Sequence, residues 1–588
     1  MNRAGLFLCL QSCLFRVVAT ICLASGTLLA QTATQVWVTR YDGFGSNDQA
    51  SAVAVDGAGN VIVTGFSTNA LGDNDYYTAK YAAADGALLW EARYDGPAHA
   101  SDYATALAVD SSGNVAVTGN SFNADGTADI YTVRYAAANG AVNWQRRYNS
   151  PANRSDLAVD VGVDAAGNVA VTGYSYLADG TTDFYTVKYA AANGSIVWEN
   201  GYNGPANGFD AASALAVDPA GNVAVTGSSS NLDNTTDFYT AKYAADGTLM
   251  WERRYNSPDN SFDQSNSIAM DPAGNVAVTG FSSVIGGTTD IYTAKYSSAS
   301  GALLWEKRYD GPAHRFDSGT KVAVDSIGNV FVMGESSNAD LTNDFVTIKF
   351  AATDGAMAWV KRYNGPGNGD DIPSSMVIDE AGNAIVAGTT DNGNDGDYYT
   401  AKYAAADGAV LWEANYDGPA HGNDESVKLS LAPDGGAVVT GYSYNAFNPD
   451  YATIRYAPPA GDADGDGLPD WWELMWWGTI AGHSPLDDSD RDGKCELIEL
   501  AFGLNPTRAE SRALPPVVIE AGFLTITLPK RAGVIYEVQS AGTVAGATFS
   551  AATTTVLVND ATTLKVRDNF LVGTAPGRYL RVKVSAAP

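Results

Sequence analysis

A seven-residue segment, Gly59-Asn60-Val61-Ile62-Val63-Thr64-Gly65, returns in close variants with its first glycine at Gly113, Gly167, Gly221, Gly274, Gly328, Gly382 and Gly435. The spacings are 54, 54, 54, 53, 54, 54 and 53 residues. A fixed period of this length restricts the chain to a propeller, a solenoid or an array, because each unit must bury its apolar face against the next.

Each unit reads as four strands. In the first, Ser51 to Asp56 is an inner strand and a turn through Gly57-Ala58-Gly59-Asn60 leads into Val61 to Ser67. A variable loop precedes Tyr76 to Tyr81, and Asp85-Gly86 opens the last strand, Ala87 to Tyr94. The turn recurs as Asn139-Gly140, Asn193-Gly194, Asp246-Gly247, Asp354-Gly355 and Asp407-Gly408, and such pairs supply the positive φ angles that tight hairpins need. Four antiparallel strands per unit is the pattern of a propeller blade.

The ends of the array predict how it closes. The fourth-strand tryptophan appears at Trp90, Trp144, Trp198, Trp251, Trp305, Trp359 and Trp412, seven times for eight units. The last unit stops at Tyr456 without its fourth strand, and the missing copy stands at the front as Val36-Trp37-Val38-Thr39-Arg40-Tyr41. We therefore expect an all-β, eight-bladed propeller over residues 35–457, closed by its N-terminal strand, since closure removes the open edges of a linear array.

The repeat Asp-x-x-Gly-Asn-Val-x-Val-Thr-Gly, then Asp-x-Tyr-Thr-x-Lys-Tyr, then Gly-x-x-x-Trp-x-x-Arg-Tyr, resembles the SBBP-type bacterial β-propeller repeat. That resemblance implies a propeller in an exported bacterial protein and no common catalytic activity. The fourth strand, Asp85-Gly86-Ala87-Leu88-Leu89-Trp90-Glu91-Ala92-Arg93-Tyr94, also looks like the tryptophan-docking strand of pyrroloquinoline-quinone propellers, some of them eight-bladed dehydrogenases. No vicinal cysteine pair and no insertion with its own acid–base set accompanies it, so we read the likeness as shared blade packing.

Composition narrows the partners. Against 35 Lys and Arg stand 66 Asp and Glu, a net charge of −31, which repels phosphate backbones and argues against nucleic-acid binding. Residues 1–30 read as a signal peptide: Arg3, then the mostly apolar runs Leu6 to Phe15 and Val17 to Ala24, then Ala30 as the cleavage point. Cys9, Cys13 and Cys22 fall in that leader, so the mature chain keeps Cys495 alone and has no intrachain disulfide. No later apolar run reaches the ~18 residues of a membrane span. The expectation is a secreted, cell-surface or periplasmic monomer.

The strongest site signal follows the propeller, in residues 458–510. Asp462, Asp464, Asp466, Leu468, Asp470 and Glu473 stand at positions 1, 3, 5, 7, 9 and 12 of a calcium loop, with Gly467 at the bend. A second copy runs Asp488, Asp490, Asp492, Lys494, Glu496 and Glu499. Alternate oxygens turn toward one ion in such a loop, position 7 offers its backbone carbonyl, and the last glutamate reaches back with both oxygens. Lys494 is tolerated at position 7 for that reason. The pair resembles dockerin-like and thrombospondin type 3 calcium repeats, with Pro469 and Cys495 departing from the usual branched aliphatic. Residues 515–588 return to alternating strands and predict a small C-terminal β-sandwich.

Other repeated residues read as structural. One aspartate precedes each inner strand, at Asp48, Asp102, Asp156, Asp210, Asp263, Asp317, Asp371 and Asp424. Eightfold repetition favours turns that bond their own backbone over a ring of ligands. Asp75, Thr78 and Lys80 and their copies read as contacts within and between blades, and the Trp and Tyr copies as core. His99, His314 and His421 sit in separate Gly-Pro-Ala-His turns, too scattered to share a metal. No Ser-His-Asp set, nucleophile elbow or phosphate loop stands out. The preferred function is a non-enzymatic exported scaffold that presents loops such as 68–75 and 228–236 to an extracellular protein or polysaccharide, with calcium (Ca2+) stiffening the segment that follows. The alternative is an extracellular enzyme acting on polysaccharide or a quinone-linked substrate, and a third reading is an adhesin-like surface protein.

Overall fold

A computed structural model describes residues 31–588 except 285–286, 446, 459–467, 478–482, 485–486, 493, 503, 510–514, 516, 532–533, 542–549, 560–562, 572–578 and 587–588. The leader and the loop bearing Asp462, Asp464 and Asp466 lie outside the described residues. Contacts divide the chain into Thr32–Ala457 and a unit that contains Pro458–Pro588.

The first unit is an eight-bladed β-propeller. Its first blade is Asp48–Val55, Val61–Thr68, Asn74–Tyr81 and Leu88–Tyr94, hydrogen-bonded in that order as one antiparallel sheet. Six further sheets repeat it, through Ile372–Ile378, Ala384–Asp391, Gly396–Tyr403 and Val410–Tyr416 in blade 7. In blade 8, Asp424–Leu431, Ala437–Tyr444 and Pro449–Ala457 take Thr34–Tyr41 as the outer strand. Trp37 pairs with Arg455 and Tyr41 with Tyr451, so the ring closes as the tryptophan count predicts. In blade 1 the inner strand begins three residues earlier than the sequence suggested and takes in Asp48. The other inner strands likewise begin at their aspartates, except in blade 7, where the strand starts at Ile372, just after Asp371. In blade 1 a bulge between Ala50 and Ala52 adds the twist that an axial strand needs.

The repeated residues build this ring. A Cβ on Gly65 would lie 2.0 Å from the Gln49 carbonyl oxygen and 2.6 Å from the Tyr451 hydroxyl, so only glycine lets the first two strands meet there. Gly140 has φ +68°, and a Cβ on it would lie 2.6 Å from the Trp90 ring. Turn geometry and blade packing therefore select the same residue. At six of the eight joints a blade's last tyrosine stacks on the third-strand tyrosine of the next, as Tyr41 on Tyr77 at 4.0 Å and Tyr202 on Tyr239 at 3.6 Å. Val346 of blade 6 and Ala452 of blade 8 break the series.

Polar repeats are spent on the same joints. Lys80 Nζ lies 2.7 Å from Asp56 of its own blade and donates to the Ala137 carbonyl of the next at 3.1 Å. Lys188, Lys295 and Lys402 repeat the ion pair with Asp164, Asp271 and Asp379 at 2.8, 2.9 and 2.9 Å. Thr64 and Thr78 share a buried hydroxyl bond of 2.8 Å. The expectation that these residues make contacts within and between blades is met.

In the C-terminal unit, helices span Asp470–Trp477 and Glu496–Phe502. One antiparallel sheet orders Val517–Glu520, Phe523–Pro529, Thr563–Leu571 and Thr554–Asn559, and a second pairs Val534–Ala541 with Tyr579–Ala586. Leu524, Ile526 and Val566 of the first sheet share a core with Val538, Leu580 and Val582 of the second and with Leu468, Trp472, Ile498 and Leu500.

Candidate functional site

The second acidic loop is described from Asp487 onward, apart from 493. Oxygens of Asp488, Asp490 and Asp492 all lie within 4.8 Å of one another. Arg491 takes a positive φ of 63°, and the Asp492 N–H donates to Asp488 at 3.1 Å and to Asp490 at 3.0 Å. The helix Glu496–Phe502 then brings Glu496 and Glu499 to one face, three residues apart. Both are fully buried. Glu496 accepts the Ser489 N–H at 3.0 Å through one oxygen, while its other oxygen, both oxygens of Glu499 and one of Asp490 lack a hydrogen-bond partner.

The electrostatics of the loop follow. Burial, then Glu496 and the carboxylates of Asp490 and Asp492, push the Glu499 carboxyl up to about 9. Burial raises Glu496 and Asp490 as well. The chain has folded its hardest oxygen donors into one place with too few N–H groups to satisfy them. Such a donor set suits a hard cation held by oxygens. The amine of Lys494 is ion-paired to Asp492, a contact that the expected carbonyl role of position 7 did not foresee. Of the first loop, Leu468 is buried in the core, Asp470 opens a helix and Glu473 is fully buried.

The eight inner-strand aspartates have a different task. Each is 0–1% exposed. Asp102 accepts the Gly96 N–H at 2.6 Å, Asp156 that of Ser150 at 2.7 Å, and Asp317 that of Gly311 at 2.7 Å. The others repeat the bond with Gly43, Gly204, Ser257, Gly365 and Gly418. They pin the turn entering each blade, and burial lifts Asp48 and Asp102 to about 6. His99, His314 and His421 are exposed at φ 50–51°, bonded to Asp95, Asp310 and Asp417 at 2.7, 2.6 and 2.7 Å.

Two features escaped the sequence reading. Lys321 of blade 6 and Lys428 of blade 8 stand at matching inner-strand positions, opposite Met333 and Thr440. Their mutual repulsion, then burial, hold Lys321 down at about 8, with Asp160 of blade 3 partly opposing. Groups from three separated blades sense one another only across the central axis.

The second is a difference between the faces. In an antiparallel blade the second-to-third-strand loops and the inter-blade turns emerge at one end. In the connecting segments of that end Phe44, Leu71, Phe209, Leu232, Phe262, Phe316, Leu341 and Phe447 are exposed, by 42–93%. At the opposite end, among the described residues, the connecting segments expose Ile327 alone of the large apolar side chains. Exposed pairs such as Leu88–Leu89 belong to the outer strands. The signal was present in sequence, as the phenylalanines before Asp210, Asp263 and Asp317.

These features define a β-propeller protein. The family described as outer membrane protein assembly factor BamB matches residues 293–448. BamB from Moraxella catarrhalis is 12% identical over 72% of this chain and 100% of its own, with a TM-score of 0.44. Quinohemoprotein alcohol dehydrogenase from Comamonas testosteroni is 12% identical over 73% of this chain and 78% of its own, at 0.47. Sqt1 from Chaetomium thermophilum is 14% identical over 73% and 100%, at 0.43. No curated protein matches the chain.

Proposed function

We propose that the chain is an exported, non-enzymatic propeller scaffold. It docks an extracellular or periplasmic partner on the face formed by the second-to-third-strand loops and the inter-blade turns. The observation that carries this reading is the count of exposed large apolar residues in the connecting segments, eight at one end against one at the other among the described residues. Exposed apolar groups concentrated at one end of a soluble fold mark an interaction surface. Phenylalanine and leucine, rather than Trp and Tyr with polar tips, favour a protein partner over a polysaccharide. The SBBP-type repeat and the leader-like residues 1–30 favour export, and the partial match to the BamB family suits an envelope location.

The segment after the propeller is assigned calcium. Asp488, Asp490, Asp492, Glu496 and Glu499 supply carboxylates and Lys494 its carbonyl. Asp462, Asp464, Asp466, Leu468, Asp470 and Glu473 form the paired loop by sequence. The ion would neutralise carboxylates that otherwise repel one another in a buried space. Its role is structural, like that of a calcium-stiffened linker. The enzyme alternative, action on polysaccharide or a quinone-linked substrate, draws on the likeness of the fourth strand Asp85 to Tyr94 to the tryptophan-docking strand of quinone propellers.

The test is retention of envelope and secreted proteins on the immobilised chain. Phe209→Asp, Phe262→Asp and Phe316→Asp together should abolish retention, while Ile327→Asp should leave it intact. Retention that survives the triple variant with its circular dichroism unchanged would overturn the reading.

A further inference from the structure

Two of the eight blades, 3 and 7, depart from the rest at one position that matters for charge. Every blade carries an aspartate at the start of its third strand. In six blades a fourth-strand arginine neutralises it: Arg40 with Asp450 at 3.2 Å, Arg93 with Asp75 at 3.6 Å, Arg147 with Asp129 at 2.6 Å, Arg254 with Asp237 at 3.0 Å, Arg308 with Asp290 at 3.2 Å and Arg362 with Asp344 at 3.1 Å. Blade 7 has Asn415 in that register, opposite Tyr399, where blade 1 sets Arg93 opposite Tyr77. Blade 3 has Gly201 there, opposite Tyr185.

The turn that follows decides what the missing arginine leaves behind. After blade 3 the turn begins with Asn203, but after blade 7 it begins with Asp417. Oxygens of Asp397, Asp417 and Asp424 lie within 4.8 Å of one another. Equivalent trios occur at three other junctions, Asp42–Asp48–Asp450, Asp75–Asp95–Asp102 and Asp290–Asp310–Asp317, and each of those contains an aspartate paired to arginine. The trio between blades 7 and 8 has no such partner. Asp397 is 7% exposed; one oxygen accepts the Asn392 amide at 2.9 Å and the other, buried, has no hydrogen-bond partner. Asp424 is 0% exposed; one oxygen accepts the Gly418 N–H at 2.5 Å and the other is likewise unpartnered.

The surrounding cations fill the gap only in part. Arg40 favours the ionised form of Asp424, and Asp417 with its neighbouring carboxylates raises the pKa of His421. No arginine or lysine is ion-paired to Asp397, Asp417 or Asp424 among the described residues. Asp417 is bonded to His421 through one oxygen at 2.7 Å. Asp395 adds a further carboxylate, bonded to Asn392 at 2.5 Å. Arg40 of blade 8 is spent on Ser443, Tyr416 and Asp450 at 2.5, 3.2 and 3.2 Å. Burial and then the neighbouring carboxylates raise Asp397 above the ordinary range.

We propose that Asp397, Asp417 and Asp424 bind one divalent cation of the calcium class at the junction of blades 7 and 8, in the place the arginine takes elsewhere. Calcium takes oxygens at about 2.3–2.6 Å, so ligand oxygens up to roughly 5 Å apart fit around one ion, whereas magnesium at about 2.1 Å demands a tighter set. The ion does for blade 7 what arginine does for six of its neighbours. This site shares no residue with the C-terminal acidic loop and stands apart from that assignment.

The test counts calcium bound to the full chain by equilibrium dialysis, at free calcium on the order of 1 mM, the range of extracellular modules. Asn415→Arg restores the internal cation and should bind one ion fewer than the unmodified chain. Asp397→Asn should lose the same ion, and Glu499→Gln should leave it in place. Equal binding by the unmodified chain and the folded Asn415→Arg variant would overturn the proposal. The Asn415→Arg comparison stands even if Asp397→Asn fails to fold.

Discussion

The indole of Trp37 donates to the carbonyl oxygen of Ala83 at 3.1 Å, the bond that Trp90 makes to Ala137 at 3.2 Å. A residue near the start of the chain thus occupies, between blades 8 and 1, the position that the repeat fills between blades 1 and 2. Seven of the eight joints carry this bond, while between blades 7 and 8 the buried indole of Trp412 has no hydrogen-bond partner. The two ends of the ring meet inside blade 8, where Thr34–Tyr41 pairs with Pro449–Ala457. Trp37→Ala should cost about 3–5 kcal/mol, as truncation of a buried tryptophan does. The loss should appear in the denaturant midpoint, and removal of residues 34–41 should expose the edge of Pro449–Ala457 and promote association. A truncated chain that stays monomeric with an unchanged midpoint would contradict this closure.

The buried pair of Lys80 and Asp56 predicts a second outcome. Removing one member of such a pair leaves an uncompensated charge, at about 3–5 kcal/mol. Lys80→Met should therefore destabilise far more than Lys80→Met combined with Asp56→Leu. Equal losses in the urea midpoint would show that the pair is not coupled.

Acid titration should give a stability maximum. Burial lifts Asp48 and Asp102 to about 6 against 3.8 unfolded. A carboxyl raised in the folded state binds its proton more tightly there, so its stabilising contribution is complete below 3.8 and lost as pH rises through 6. Asp56, Asp164 and Asp271 run the other way: burial pushes them up, but Lys80, Lys188 and Lys295 with nearby asparagines outweigh it and leave them low. Their contribution is present above 3.8 and lost as pH falls through their lowered values. The urea midpoint should rise from pH 7 to about 4.5 and fall below about 3.5. A monotonic decline from pH 7 would contradict these assignments.

Lys321 supplies an opposite slope. Its value of about 8 lies below the 10.5 of a free lysine, mainly because Lys428 faces it. A base lowered in the folded state destabilises when charged, so stability should rise as pH climbs from 8 toward 10.5. Lys321→Met should raise the unfolding free energy at pH 7 by on the order of 1–3 kcal/mol, move the urea midpoint up accordingly, and flatten that rise with pH. A variant less stable than the parent at pH 7 would refute the repulsion.

Calcium should raise the melting temperature of the full chain in proportion to RT ln(1+[L]/Kd). Glu499→Gln should shrink that rise, because it removes a carboxylate from the ligand set. A calcium response unaffected by Glu499→Gln would remove Glu499 from the ligands.

The ring and its closure were legible because turn glycines, tryptophans and tyrosines are dictated by local geometry and recur at one period. The offset of Trp37 alone predicted the closing strand. The role of Asp48 and its copies was legible for the same reason, since a residue repeated eight times serves the repeat. What stayed hidden is what breaks the repeat. Asn415 in Trp412-Glu413-Ala414-Asn415-Tyr416 breaks the Trp-x-x-Arg-Tyr pattern, but only the structure shows which aspartate loses its arginine. Lys321 and Lys428 are 107 positions apart, and only ring closure brings their charges within range. The grouping of Phe209, Phe262 and Leu232 at one end required knowing which loops share it.

The most direct test of the scaffold is site-specific photocrosslinking with envelope and secreted material of the cell that makes the protein. A benzophenone side chain at Phe262 should trap a protein partner, and the same group at Ile327 should trap none. A crosslink from Ile327 alone, or none from Phe262, Phe209 or Phe316, would contradict the docking face.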